Sequence, residues 1–149
     1  MSPSILGPIL LVLLGGGLLA LQVPTNVMLS KAGGSPLLAA LISFAVGTLA
    51  LLAAWLASGN RPGAAAFAPL PWYAWLGGIY GASYVAIAAF AAPRIGLASL
   101  VTIGIAGQIV TALWLDHHAA LGLPLAPMST ARAIGALLVV AGVVLVRRG

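Results

Sequence analysis

The chain has 149 residues, of which 62% are hydrophobic and 5% charged, against roughly 25% charged in a soluble domain. Its net charge of +5 comes from six scattered cations, with no basic cluster to meet nucleic-acid phosphates. It contains no Cys, which excludes thiolate sites, and no Glu, and Asp116 is its only acid, so paired-carboxylate catalysis and a Ser-His-Asp arrangement require groups that the chain barely has.

Those proportions describe an all-α integral membrane protein. A span needs about 20 apolar residues, and five such runs occur, near residues 5–29, 36–57, 70–92, 96–115 and 130–146 of one membrane domain. Backbone in lipid must bond to itself, so each run is expected to be a helix. No Lys or Arg precedes the first run, and it is longer than a signal-peptide core, so it reads as a retained span.

The first span ends in Leu21-Gln22-Val23-Pro24-Thr25-Asn26. Gln22 and Asn26 stand four apart on one helix face, with Thr25 beside them. Pro24 lacks an N–H, deprives the Ala20 carbonyl of its helical partner and predicts a kink. Bent or discontinuous helices of this kind line binding sites in transporters. The bland alternative is that the amides only bond between helices.

The second span carries a stripe of small residues, Ala40, Ser43, Gly47, Ala50 and Ala54, which suits close packing. The third opens on Trp72, Tyr73 and Trp75, as an interfacial belt does. It continues with Gly77, Tyr80, Gly81 and Tyr84 in line, and Tyr80 and Tyr84 lie deep enough that each phenol needs a partner. In the fourth span Gly104, Gln108 and Thr111 share a face. Gln22, Asn26, Tyr80, Tyr84, Gln108 and Thr111 are therefore the candidate lining of one polar, ligand-sized cavity.

Charges sit at the boundaries. Arg94 follows Pro93, Asp116 ends the fourth span and Arg132 opens the fifth. Arg94 and Asp116 lie about 33 Å apart along an upright helix. Asp116 is thus left to meet Arg132 or Arg61 on its own side, or Arg94 of an inverted second copy. His117 and His118 are adjacent and diverge on a helix, so they make no chelating pair and no metal or cofactor site is expected. With no ionisable residue well inside any span, a neutral or weakly polar solute, or an anion drawn to Arg94, is the expected cargo. Lys31, Arg94, Arg147 and Arg148 fall on the side opposite the N-terminus, and Arg61 and Arg132 on the N-terminal side. Four against two favours an external N-terminus and a cytoplasmic C-terminus, and also allows dual insertion.

Together, Gln22 with Asn26, Gly34-Ser35-Pro36, Pro93-Arg94-Ile95-Gly96, Gly107-Gln108, Leu115-Asp116, Gly122, Pro124, Pro127, Arg132 and Gly135 resemble the YdcZ-type family of the drug/metabolite transporter superfamily. The resemblance covers nearly the whole chain. It implies a five-span exporter of the bacterial inner membrane, built as half of a larger transporter. The related four-span small multidrug resistance exporters use a Glu of the first span. Here amides stand in its place, so cation/proton antiport is not carried over.

Five helices can hardly enclose a site and also supply two gates. Pairing an odd-span unit with an inverted copy gives the inverted repeat common among transporters. The expected protein is a small-solute transporter in a lipid bilayer, half of an inverted repeat completed by an antiparallel homodimer or a paired homologous subunit. A dual-topology passive channel and a non-transporting membrane assembly subunit are the alternatives, and an enzyme is not expected.

Overall fold

In the computed structural model, residues 3–59 and 61–148 are described. Five long helices occur in chain order: α1 (Pro3–Gly33), α2 (Pro36–Ser58), α3 (Gly77–Ile95), α4 (Leu97–His117) and α5 (Thr130–Arg148). Short 3₁₀ turns at Ala64–Phe67, Trp72–Leu76 and Ala120–Gly122 fill the connections, and no strand occurs among the described residues. All five helices are long and apolar enough to cross a membrane, the third counted with the 3₁₀ turn that leads into it. At most 17% of any span's most apolar stretch is buried, so most of each surface is left for lipid or another chain.

The chain divides into two compact units, residues 1–94 and 95–149. In the first, α1 packs on α2. Their hairpin turns at Gly34, in the left-handed region at φ 71°. Ser35 follows as N-cap of α2, its hydroxyl accepting from the Leu38 N–H at 3.3 Å, and Pro36 supplies the first helical residue. Ala39 and Ala40 are buried just beyond, where small side chains permit close approach. At the other end Arg61 donates to the carbonyls of Trp55 and Leu56 at 3.2 and 2.9 Å, with its guanidinium 4.8 Å from the Trp55 ring. Carbonyls otherwise orphaned at the helix end thus gain partners.

Helix α3 buries Val85, Ala88 and Ala89, one face by spacing. Between α2 and α3 runs an apolar groove of about 350 Å³, lined by residues that include Ala40, Phe44, Ile79 and Ser83. A Cβ added at Gly81 would lie 3.1 Å from the tip of the Phe44 ring. Gly81→Leu is therefore expected to lower stability by about 1–3 kcal/mol through overpacking, and Phe44→Leu in the same chain to restore most of it. Thermal unfolding of the detergent-solubilised protein measures both.

The ends of two helices differ from the sequence reading. Helix α1 runs to Gly33 rather than to 29 and continues unbroken through Pro24, so the proline does not make it discontinuous. Helix α3 contains Pro93 and ends at Ile95. The break falls at Gly96, whose φ of 81° is closed to other residues except under strain. A proline in the last turn forfeits a single bond and is tolerated there. In the second unit α4 and α5 pack as a hairpin.

Candidate functional site

Helix α1 places Val23 and Asn26 on its buried face, three residues apart. Asn26 is 2% exposed, the only buried polar or charged side chain among the described residues. Its amide bonds to no described residue, yet no buried side-chain N or O is both sealed and unpartnered. What little of Asn26 stays accessible is therefore the amide itself. One turn earlier Gln22 is half-buried, and its Nε2 donates to the Ser43 hydroxyl of α2 across a long 3.5 Å. Thr25 is exposed and turns back on its own helix, donating to the Gln22 carbonyl at 2.8 Å and reaching the Leu21 carbonyl at 3.4 Å. Hydroxyls commonly satisfy backbone near an intramembrane proline in this way.

On α3, Tyr80 is 64% and Tyr84 38% exposed. Neither phenol bonds to a described residue, so this unit joins Gln22 to Ser43 but not to the tyrosines. Arg94 folds back on the end of α3, donating to the Phe90 carbonyl with its guanidinium 3.6 Å from the Phe90 ring. Its donors are thus partly committed before any anion arrives.

In the second unit Gln108 and Thr111 are exposed on α4 and bond to no described residue. The boundary charges do pair: Arg132 Nη1 lies 3.3 Å from Asp116 Oδ2 and donates to the Ala126 carbonyl at 2.9 Å. Of the partners open to Asp116, Arg132 on its own side is the one it meets. The Ala126 N–H returns to the Asp116 carbonyl at 2.9 Å, so the α4–α5 loop is tied at several points. Serine129 caps α5, its hydroxyl accepting from the Arg132 N–H at 3.3 Å. Within the loop Ala119 and Leu121 hold φ of 48° and 57°. That left-handed backbone costs a non-glycine residue about 1–2 kcal/mol.

The histidines depart from the helical expectation. His118 caps α4 at φ −101° and ψ 5°, past the regular helix, and the two rings meet edge to face at 4.9 Å instead of diverging. Each has a protein partner: His117 Nδ1 accepts from the Met128 N–H at 3.1 Å, and His118 Nδ1 lies 2.8 Å from the Trp114 carbonyl. No three His, Cys, Asp or Glu side chains gather among the described residues to hold a metal ion. Sequence reasoning missed Ser43, read only as one of a packing stripe, and the His117 contact. A hydroxyl among alanines and glycines was the available signal for Ser43.

Five apolar membrane-length helices without strands define a multi-pass helical membrane protein, here with amides inside its spans. The chain belongs to the YdcZ-type family, described as "Putative inner membrane exporter, YdcZ", which matches residues 7–145. It is accordingly a multi-pass inner-membrane protein of a transporter family, with a small solute as its class of cargo. No curated protein and no solved structure matches the chain.

Proposed function

We propose that the protein exports a small neutral or weakly polar solute by alternating access as a dimer, with Gln22, Asn26, Tyr80, Tyr84, Gln108 and Thr111 lining one central site. The observation that carries this reading is the Asn26 amide, almost wholly buried, unpartnered and one turn from the Gln22–Ser43 contact. A buried amide kept free of protein partners is available to a solute, and amides supply both donors and acceptors.

The exposed Gln108, Thr111 and Tyr80 support the dimer. Lipid offers them no hydrogen bond, whereas a second copy does. An inverted second copy also completes the repeat on which alternating access is built. The one carboxylate, Asp116, stands in the last turn of α4 and is paired with Arg132, so the proposed site recognises its cargo without carrying a proton for it.

The test is solute counterflow into proteoliposomes, with candidate solutes screened by electrical recording and isotope exchange. Saturable flux with counterflow is expected of the carrier, whereas rapid unsaturable flux would make the protein a channel. Gln22→Leu is expected to reduce flux at least about tenfold while changing stability by less than about 1 kcal/mol, because one intramembrane side-chain bond averages about 0.6 kcal/mol. Flux unaffected by Gln22→Leu would leave that amide as an interhelical bond only. In this cysteine-free chain, Ser58→Cys labelled from each side in turn reads orientation directly. Labelling from one side alone excludes dual insertion.

A further inference from the structure

The α4–α5 loop is held by contacts that the transport reading does not use. The Arg132 bridge to Asp116 and to the Ala126 carbonyl is one clasp, and the Ala126 N–H to the Asp116 carbonyl is another. The third, from the Met128 N–H to His117 Nδ1 at 3.1 Å, differs in kind. A ring nitrogen accepts a hydrogen bond only while it carries no proton, so this contact requires neutral His117 with its hydrogen on Nε2. Protonation places a hydrogen on Nδ1, opposite the Met128 N–H, and turns the contact into a clash of two donors.

His118 next to it responds differently. Its Nδ1 faces the Trp114 carbonyl at 2.8 Å, and since a carbonyl only accepts, that nitrogen is the donor. Protonating the other nitrogen of His118 leaves its bond intact. One histidine of the pair is thus chemically placed to release the loop as pH falls, and the other is not.

We propose that His117 is a proton-sensitive latch: its neutral ring fastens Met128 to the end of α4, and its protonation frees the loop that joins α4 to α5. The charged and titratable groups around it are Asp116 on α4, His118 at its C-cap and Arg132 on α5, and the loop from 119 to 129 contributes none. Histidine is the side chain whose unperturbed change of charge falls between about pH 5 and 8. Ala119 and Leu121 keep the loop in left-handed backbone, which favours opening once a fastening is lost. The proposal is independent of the cargo.

The test is amide exchange of Met128 by NMR on the full chain in nanodiscs, at pH 8 and pH 5.5, with rates corrected for intrinsic exchange. Wild type is expected to lose about three- to tenfold protection at the lower pH, the range one hydrogen bond allows. His117→Asn, whose Oδ1 stands near the position of Nδ1 and does not titrate, is expected to hold equal protection at both. His118→Asn and Asp116→Asn are expected to keep the wild-type response. Unchanged wild-type protection, a wild-type response in His117→Asn, or its loss in Asp116→Asn alone would each overturn the latch. Ring ¹⁵N shifts of wild-type His117 give a second reading that needs no variant: Nδ1 unprotonated at pH 8 is expected, and an Nδ1–H tautomer refutes it.

Discussion

Asn26→Leu is expected to give a protein that is more stable and does not transport. Leucine repeats the branching of asparagine with the same number of heavy atoms, and it carries no group that needs a hydrogen bond. Asn26 is 2% exposed as a whole residue, and its amide, the part that stays accessible, bonds to no described residue. A polar group left so costs about 1–3 kcal/mol, and leucine removes that cost. A gain of about 1–2 kcal/mol, a rise of a few degrees in thermal midpoint for a chain of this size, is therefore expected, together with flux reduced to a few per cent. Loss of stability with transport retained is the opposite pattern. It would mean that Asn26 is a structural bond between helices, and the central site would have to be sought elsewhere. A stabilising substitution that abolishes activity is the signature of a group held in readiness for a ligand.

The five helices were legible because a chain with this composition has few alternatives: apolar runs of about 20 residues must satisfy their backbone internally. Their ends were less so. Counting apolar residues stops the first span near Leu29, where polar Ser30 and Lys31 begin, yet the backbone stays helical until Gly34 turns left-handed at φ 71°. The third span likewise passes Pro93 and stops at Gly96. Both helices end where glycine allows positive φ, and neither polarity nor proline marked the position. The Asp116–Arg132 pair stood among several partners that the charge pattern left open, and the short loop selects it. Ser43 was visible only as a small residue. Counted from the Gly34–Ser35 turn, the hairpin register brings it within a helical turn of Gln22. His117 was misread because adjacent residues on a helix diverge, whereas His118 lies beyond the regular helix. The gathering of polar faces that the proposed site requires is a matter of long-range packing, which periodicity within one helix does not encode.

Arg132→Leu is expected to cost the α4–α5 hairpin about 2 kcal/mol, in the second of the two large effects. The ion pair with Asp116 cannot supply this by itself. The two side chains are 38% and 35% exposed, and a pair so open to solvent contributes about 1 kcal/mol or less. The guanidinium also donates to the Ala126 carbonyl at 2.9 Å, and the same residue returns its N–H to the Asp116 carbonyl. Removing Arg132 thus loses a bridge between the end of α4 and a loop that already carries left-handed Ala119 and Leu121. Arg132→Lys is expected to recover only part of the loss, since both contacts are made by Nη1 at the far end of the guanidinium, and the lysine ammonium ends one atom nearer the backbone. The exchanged pair, Asp116→Arg with Arg132→Asp, restores the charges but not the contact at Ala126, because a carboxylate cannot donate to a carbonyl. It should therefore also fall short of wild type. Added salt separates the contributions: the ionic part weakens as screening shortens from about 8 Å at 0.15 M to about 3 Å at 1 M, and the carbonyl contact persists. Thermal unfolding of wild type and the three variants at both salt concentrations reads these differences, and an unchanged midpoint for Arg132→Leu would show that the loop holds its shape without the bridge.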